Sequence, residues 1–212
     1  MKDENDAVTI DSFTAPVTLG HYRAITAPLL QVSGKRWNGT TTPDSIRDLW
    51  STPQWLFDYL DNRYGPFDID AAASAQSAKC AVFYDESADA FAQEPPVGSR
   101  VFINPPFSDL APWIELASRW KKERKCQVTI IIPHDISTAW AASAIINATE
   151  IINVMGGPDD KGKFRSGRIA FVNALTGKEV RNNNKGTLIC HFDPKGNCSR
   201  TLYLSRQMMM RG

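Results

Sequence analysis

The sequence has no apolar run long enough to cross a membrane, because no window approaches about 18 consecutive apolar residues. Its opening residues, MKDENDAVTI, are acidic and contain no apolar segment, so we expect no secretory signal. The four cysteines (Cys80, Cys126, Cys190 and Cys198) are widely spaced, without a C-x-x-C pair or a cluster of histidines beside them. This spacing argues against a zinc site and against a disulfide scaffold. We therefore expect a cytoplasmic protein with reduced thiols and no bound metal.

The composition is that of a folded domain, since 42% of the 212 residues are hydrophobic and 22% are charged. The net charge of +1 hides an asymmetry between the two halves of the chain. Residues 1–106 carry 8 Lys and Arg against 14 Asp and Glu, whereas residues 107–212 carry 16 against 9. A basic half favours contact with a polyanion, although surface charge that merely segregates gives the same numbers.

The chain divides into an irregular start and an ordered remainder. Residues 1–48 are rich in Thr, Ser, Pro and Gly, and lack periodicity apart from one short apolar stretch. Thr52-Pro53 is typical of a helix start, with Thr52 as the N-cap and helically spaced apolar residues after it. We predict an N-terminal arm at 1–48, one domain at 49–206 and a tail at 207–212.

Apolar segments of strand length alternate with amphipathic segments of helix length. The predicted strands are FDID (67–70), AVFY (81–84), RVFI (100–103), QVTIII (127–132) and EIINVM (150–155), and helices are predicted at 108–125 and 137–148. The turn AAAS (71–74) is expected to open another helix. This order predicts an α/β fold with a parallel sheet and helices on both faces. The late strands at 168–173, 187–192 and 201–206 have no helices between them, so we expect a C-terminal antiparallel hairpin.

The most informative motif is Asn104-Pro105-Pro106-Phe107. It follows the apolar strand RVFI and precedes an amphipathic helix, so it lies at the carboxyl end of a strand, where open α/β sheets bind ligands. A rigid turn before a helix would explain the two prolines. It would explain neither the asparagine nor the phenylalanine.

The motif and its companions carry a family resemblance. Together with the segments at 50–74, 85–91, 101–117 and 167–177, the Asn-Pro-Pro-Phe loop resembles the phage-type (Dam-like) DNA N6-adenine methyltransferases of phages and prophages. The similarity covers about residues 50–192. It implies a Rossmann-like methyltransferase sheet, S-adenosylmethionine (SAM) as cofactor, and double-stranded DNA as partner.

Elementary chemistry agrees with that role for the loop. The lone pair of an adenine amine is delocalised into the ring, and two acceptors aimed at its hydrogens would localise it. The Asn104 side-chain oxygen and the Pro105 carbonyl can be those acceptors, and Pro105 and Pro106 hold the backbone direction. Phe107 offers a stacking face for a base extruded from the duplex. Proximity then suffices for methyl transfer, so no His or Cys nucleophile is needed.

The resemblance also implies a cofactor site after the first strands. Asp70 and Ala71 match the first SAM-binding motif, although DAAAS replaces its usual glycine-rich turn, and Asp68 is the alternative carboxylate. Asp85 or Glu86 would suit the ribose hydroxyls, and Asp89 the adenine amine. Each of these carboxylates could instead be solvated or cap a helix. Thr52, Pro53 and Asn104 are expected to border the pocket, whereas Trp50 and Trp55 are predicted to be packing residues.

Two clusters of basic residues could meet DNA. The cluster at 119–125 ends a helix and is predicted to be its solvated C-terminus. The Gly-rich loop with Lys161, Lys163, Arg165 and Arg168 suits phosphate contacts better, and Lys35 and Arg36 of the arm could add to them. His134, after the strand at 127–132, could touch substrate or be structural.

Other functions share the same loop. Methyltransferases acting on N4 of cytosine, on RNA bases or on protein glutamine use related motifs. A catalytically inactive DNA-binding module is a further alternative, because the glycine-rich turn is missing. The accompanying segments and the basic C-terminal half favour DNA adenine.

Overall fold

The structure is a computed structural model that describes residues 50–180, 183, 185–196 and 199–211. The predicted arm with Lys35 and Arg36, and also Cys198, lie outside these residues. The described strands are β1 (Trp50–Ser51), β2 (Ile69–Asp70), β3 (Val82–Phe83), β4 (Arg100–Ile103), β5 (Gln127–Pro133), β6 (Glu150–Met155), β7 (Gly157–Pro158), β8 (Phe164–Arg165), β9 (Phe171–Asn173), β10 (Glu179–Val180), β11 (Thr187–Phe192) and β12 (Arg200–Ser205). The helices are α1 (Gln54–Tyr64), α2 (Ala111–Glu123), α3 (Ala139–Asn147) and α4 (Arg206–Met209), with a 3-10 turn at Ala90–Ala92.

Seven strands form the central sheet in the order β12-β6-β11-β5-β4-β2-β3. Neighbouring strands are parallel except at β11, which runs antiparallel to both β5 and β6. The middle strands are buried on both faces because their residues are uniformly apolar; Ile130, Ile131 and Ile132 of β5 are all fully buried. The predicted α/β class is therefore confirmed.

The last strands pair differently from the predicted C-terminal hairpin. β11 and β12 are not neighbours, because β6 lies between them and pairs with β12 in parallel. Burial explains the difference: all six residues of β11 are buried, which suits an interior strand, whereas β12 alternates with exposed residues such as Tyr203 and suits an edge. The earlier strand β9 joins a separate three-stranded sheet, β1-β9-β10.

Helices cover both faces of the central sheet, as predicted. On one face α2 and α3 bury Ile114, Trp120 and Ala144 against the sheet, and on the other α1 and α4 bury Leu60 and Met209. The helix α4 begins at the predicted end of the domain, residue 206, and Met209 belongs to the core. None of the helices in the described part of the chain is long and apolar enough to span a membrane.

The connection between β2 and β3 corrects a second prediction. The segment Ala71–Ser74 opens no helix; the chain continues through bends and a turn to β3. The reason is local, because the carboxylate of Asp70 accepts hydrogen bonds from the backbone N–H groups of Lys79, at 3.0 Å, and Ala72, at 3.5 Å. A side chain that binds the following backbone competes with helix formation.

An ion-pair cluster around the buried Glu150 connects α1 with β6 and β12. Glu150, at the start of β6, accepts hydrogen bonds from Arg63 (2.8 Å from Nε), from the hydroxyl of Tyr64 and from Arg200. Burial alone would raise the pKa of Glu150, but the hydrogen bonds from Tyr64 and Arg63 outweigh it and hold this pKa below its usual value. The Tyr64 ring also stacks on His191, 4.0 Å between centroids.

Candidate active site

A cavity of about 920 Å³ opens at the carboxyl ends of β2, β3 and β4. This is the edge of an open α/β sheet where ligands are expected. The volume is near the upper end of the range for small-molecule sites, about 300–1,000 Å³. Its lining residues are Trp50, Ser51, Thr52, Asp70, Ala71, Ala72, Ala73, Ser74, Ser77, Lys79, Tyr84, Asp85, Glu86, Ser87, Asp89, Ala90, Phe91, Phe102, Asn104, Pro106, Trp113 and Ala174.

The small sheet brings residues far apart in sequence to this cavity. β1 pairs antiparallel with β9, so Trp50 lies opposite Asn173 and Ser51 opposite Val172. The Trp50 ring stacks on Phe171 with 6.0 Å between centroids and 16° between planes. Through this pairing the late segment 167–177 contributes Ala174 to the lining.

Asn104 lies in the cavity wall directly after β4. Its side-chain Nδ2 donates a hydrogen bond to the Trp50 carbonyl oxygen across 2.9 Å, which fixes the orientation of the amide. Its Oδ1 is buried and has no hydrogen-bond partner within the described part of the chain. A buried acceptor without a partner is costly, so this oxygen requires a donor that the described residues do not supply.

The rest of the predicted catalytic loop divides between the cavity and its support. Pro106 lines the cavity, whereas Pro105 is buried behind it. Phe107 is half-buried and outside the lining; its ring meets Phe171 edge-on, 5.6 Å between centroids. Phe107, Phe171 and Trp50 thus form one aromatic group beside the loop.

Asp70 ends β2 and lies in the cavity wall, only 2% exposed. Burial raises the pKa of its carboxyl to about 6, although the hydrogen bonds from the Lys79 and Ala72 backbones work in the opposite direction. Ala71, fully buried, follows it in the lining. The alternative carboxylate, Asp68, is exposed and outside the lining, and accepts a hydrogen bond from the Arg100 backbone at 2.8 Å.

Thr52 does not cap the first helix, contrary to the prediction. Pro53 is the N-cap of α1, and its carbonyl accepts from the backbone N–H groups of Leu56 and Phe57. The start of the helix one residue later leaves the Thr52 hydroxyl without that role. Thr52 is 2% exposed and lines the cavity, and its Oγ1 has no hydrogen-bond partner among the residues described. Pro53 is buried and lies outside the lining.

Three further carboxylates line the cavity after β3. Asp85 accepts hydrogen bonds from the Ser87 hydroxyl (2.7 Å) and the Ala88 backbone (2.9 Å), and the Ser87 bond is the main cause of its lowered pKa. Asp89 has a φ of +49° and accepts from the Phe91 backbone at 3.1 Å. Both therefore have local structural roles, whereas Glu86 accepts no hydrogen bond from any described residue and is free for a ligand.

Several lining residues were not predicted from the sequence. Trp50 was expected to pack, and it does, but its Nε1 is buried without a partner in the described structure. Trp113 and Phe91 form an aromatic pair, 4.8 Å between centroids, on another part of the wall. The signal for Trp50 was its spacing: residues 50 and 52 of an extended segment share a face, and Thr52 was already a candidate.

His134 lies outside the cavity lining. Its Nε2 pairs with the Asn153 side-chain oxygen across 2.9 Å, which fits the structural alternative for this residue. Within the described ranges, no group of three or more His, Cys, Asp or Glu side chains could hold a metal ion.

The predicted basic loop forms a small hairpin at the same edge of the sheet as the cavity. β7 and β8 follow β6, whose carboxyl end points in the same direction as those of β2 and β4. Gly167 returns to the end of β6: a Cβ at this position would lie 2.3 Å from the Met155 carbonyl carbon. The hairpin between Met155 and Gly167 exposes Lys161, Lys163 and Phe164, and Phe164 is 71% exposed.

The acidic residues of this hairpin are neutralised by arginines. Asp159 accepts from Arg165 Nε across 2.7 Å, and from the backbones of Lys161 and Lys163, while Asp160 pairs with Arg211. The two lysine ammonium groups form no hydrogen bond or ion pair with described residues, and they are the available cations of the hairpin. Arg168 is exposed just after it.

Comparison with known proteins identifies the family. A family model described as DNA N-6-adenine-methyltransferase (Dam) matches residues 39–212. The chain is 40% identical over 202 residues to the DNA N-6-adenine-methyltransferase of Escherichia phage T1, covering 89% of this chain and 84% of that protein. The chain belongs to the DNA N-6-adenine-methyltransferase (Dam) family.

A second relative carries the same description. The DNA N-6-adenine-methyltransferase of Haemophilus phage HP1 (strain HP1c1) is 29% identical over 157 residues, covering 74% of this chain and 84% of the relative. Membership of the Dam family confirms the resemblance seen in the sequence. It also confirms the predicted enzyme class, methylation of adenine at N6 in DNA, over the alternatives that share the loop.

Proposed function

We propose that this chain transfers a methyl group from SAM to N6 of an adenine extruded from double-stranded DNA, with Asn104 as the residue that orients the amine. The observation that supports this assignment is the buried, unpartnered Oδ1 of Asn104 in the cavity wall. The hydrogen bond from Nδ2 to the Trp50 carbonyl leaves this oxygen as the free end of the amide.

The lining fits SAM as the methyl donor. Asp70 would accept from its ammonium group, and the Thr52 hydroxyl would bind its carboxylate, which answers an otherwise unsatisfied buried group. Glu86 would accept from the ribose hydroxyls, with Asp85 beside it, and Asp89 would bind the adenine amine. Ala71 leaves room for the chain of the ligand. When bound, the donor supplies a methyl group on a positively charged sulfur.

The reaction then needs little from the protein beyond orientation. Asn104 Oδ1 and the Pro105 carbonyl would accept the two N6 hydrogens and turn the nitrogen lone pair towards the methyl group. Both acceptors belong to a stiff segment, because each proline fixes φ, so little reorganisation is needed when the reaction occurs. Pro106, in the wall, would exclude water beside them. As the bond from N6 to the methyl carbon forms, the bond from that carbon to the donor sulfur breaks, S-adenosylhomocysteine leaves, and the amine releases one proton to solvent.

Phe107 is assigned to stacking on the extruded base. Its half-buried ring is held edge-on by Phe171, so it would be positioned before the base arrives. Stacking on an aromatic ring contributes about 1–3 kcal/mol per base, enough to offset much of the cost of unstacking.

We assign DNA contact to the β7–β8 hairpin. Lys161 and Lys163 are free cations at the same edge of the sheet as the cavity, where Arg168 adds charge and Arg165, paired with Asp159, keeps further N–H donors for a phosphate. These residues would bind phosphates and fix the register of the duplex. Lys35 and Arg36 are proposed as further phosphate contacts. With DNA as its substrate, the protein would act in the bacterial cytoplasm.

A radiolabel assay tests the proposal. Purified protein is incubated with tritiated SAM and unmethylated duplex DNA, and the product is digested to nucleosides for chromatography. N6-methyladenine is the expected product. Label in cytosine, RNA or protein would contradict the proposal, as would tight DNA binding without any transfer.

A further inference from the structure

Trp50 carries an unused donor in the cavity wall. The residue is half-buried and lines the cavity, and its Nε1 is buried with no hydrogen-bond partner anywhere in the described part of the chain. An indole N–H is a donor without acceptor capacity, and since no described residue supplies its acceptor, an acceptor on a ligand in the cavity would satisfy it. A buried donor without a partner is costly enough to require an explanation.

Trp50 also orients a hydrogen-bond acceptor, the side-chain oxygen of Asn104. The Trp50 carbonyl accepts from Asn104 Nδ2, and this bond leaves Asn104 Oδ1 as an unpartnered acceptor. One linked pair of residues therefore offers an acceptor and a donor to the cavity. An amino-substituted ring such as adenine presents the complement along one edge: an N–H donor beside a ring-nitrogen acceptor.

The surroundings of the indole connect it with the residues assigned to the base, although Thr52, assigned to the methyl donor, lies only two residues away. The Trp50 ring stacks on Phe171, and Phe171 meets Phe107, the residue assigned to base stacking. The carboxylate-rich part of the lining, with Asp70, Asp85 and Glu86, comes instead from the ends of β2 and β3.

We infer that Trp50 is a specificity-determining residue whose Nε1–H donates a hydrogen bond to the ring nitrogen next to the amino group of the extruded adenine. This inference rests on the proposed function and adds a recognition contact to it. Guanine and hypoxanthine carry a carbonyl oxygen in place of the amino group, so both mismatch Asn104; where N1 is the acceptor, their N1–H mismatches Trp50 as well.

Base analogues test the contact without any change to the protein. Methylation-aware sequencing of DNA from expressing cells supplies the target sequence, and synthetic duplexes then carry adenine, 1-deazaadenine or 7-deazaadenine at the target position. One analogue should lower kcat/KM of the wild-type enzyme by roughly 5–50-fold, and which one does so identifies N1 or N7 as the acceptor. Equal rates on all three duplexes would overturn the inference.

The variant Trp50→Phe keeps an aromatic ring and removes the donor, so it forms a double-mutant cycle with the base analogues. Its kcat/KM on adenine should fall by a similar factor. On the sensitive analogue its kcat/KM should fall no further. Trp55→Phe, a tryptophan that packs against Arg206 outside the cavity, is the matched control and should retain the wild-type penalty.

Two outcomes separate this inference from the proposed function. If wild-type protein forms no N6-methyladenine at all, the proposed function fails. If it does, but Trp50→Phe keeps the analogue penalty or weakens binding of S-adenosylhomocysteine without DNA, the function stands and the base contact is wrong. Calorimetric titration with S-adenosylhomocysteine makes the second measurement.

Discussion

The side chain of Asn104 is anchored to the main chain of Trp50, with 2.9 Å between Nδ2 and the carbonyl oxygen. The bond joins the loop after β4 to the short strand β1, 54 residues earlier in the chain. β1 is held in turn by β9, so the orientation of one amide depends on three separate segments. Such support from neighbouring elements is what keeps a reactive geometry fixed before substrate binds.

The first prediction concerns Asn104→Ala. Loss of a preorganised hydrogen-bond group at the reacting atom typically costs about 10²–10³ in kcat, and we expect that loss here. Affinity for S-adenosylhomocysteine should stay within a few-fold of wild type, because the proposed contact is to the base. Single-turnover methylation and calorimetry make the two measurements.

Asn147→Ala is the matched control for that variant. Asn147 is exposed at the end of α3 and lies outside the cavity lining, and among the described residues its side chain bonds only to the Ser143 carbonyl. Its turnover should equal that of wild type. Near-normal turnover of Asn104→Ala would show that the amide does not orient the amine.

The second prediction separates binding from stability at Thr52. Thr52→Val keeps the shape and removes a buried hydroxyl that has no partner in the described structure, so we expect the free energy of unfolding to rise by about 1 kcal/mol. Binding of S-adenosylhomocysteine should weaken by roughly 5–20-fold, the loss expected for one hydrogen bond. Denaturant titration and calorimetry measure the two effects.

A second threonine provides the contrast. Thr138 caps α3 by accepting from the Ala141 backbone, so Thr138→Val should lower stability by about 1 kcal/mol and leave cofactor affinity unchanged. Matching losses of stability in both variants would mean that Thr52 is a structural residue.

Local patterns in the sequence were sufficient for the fold class and for the main loop. QVTIII predicts a strand buried on both faces and forms β5, and Asn104 follows a strand as its context predicts. TLICHF is equally apolar and forms the interior strand β11, yet adjacency to the next strand suggested a hairpin. The error arose because sequence neighbours usually pair, whereas here burial on both faces required a different partner.

The contribution of Trp50 depends on long-range pairing and could not be predicted in the same way, whereas the place of Thr52 at the pocket was expected from the family resemblance alone. A tryptophan before Thr-Pro looks like a packing residue, and only the pairing of β1 with β9 brings its side chain to the cavity wall. Thr52 has the sequence of a helix cap, and a shift of one residue in the start of α1 changes its role. Neither long-range strand pairing nor a one-residue boundary is encoded in hydrophobic periodicity.

The third prediction concerns the hairpin lysines. Lys161→Ala with Lys163→Ala removes two free, exposed cations, so the slope of log affinity against log salt should become about 2 units less negative. The loss of DNA affinity should be similar for all duplex sequences, because phosphate contacts carry no sequence information. Fluorescence anisotropy at several salt concentrations measures the slope.

A matched pair of lysines keeps the charge change constant. Lys122 lies in the last turn of α2 and Lys195 follows β11, which places both at the opposite edge of the sheet, and both are exposed. Lys122→Ala with Lys195→Ala should leave the slope unchanged. An equal change in both double variants would mean that net charge matters and that the hairpin does not bind DNA.

The last prediction follows from the titration of Asp70. The pKa of this carboxyl is about 6 in the folded protein because of burial, against 3.8 when exposed. If the ionised form binds the cofactor ammonium group, affinity for S-adenosylhomocysteine should fall by about tenfold from pH 8 to pH 5, since protonation then competes with binding. Asp70→Asn should bind weakly at pH 8, and its affinity should change much less over this range.

Stability should show the opposite dependence on pH. A carboxyl with a raised pKa in the folded state stabilises it below pH 4, and this contribution is lost as pH rises through about 6, by up to about 3 kcal/mol in total. Asp70→Asn is neutral at every pH and should therefore be more stable than wild type at pH 8 and similar to it at pH 4. Denaturant titrations at both values make the comparison, and a variant less stable than wild type at pH 8 would show that the Asp70 charge is satisfied within the folded protein and is not held for a ligand.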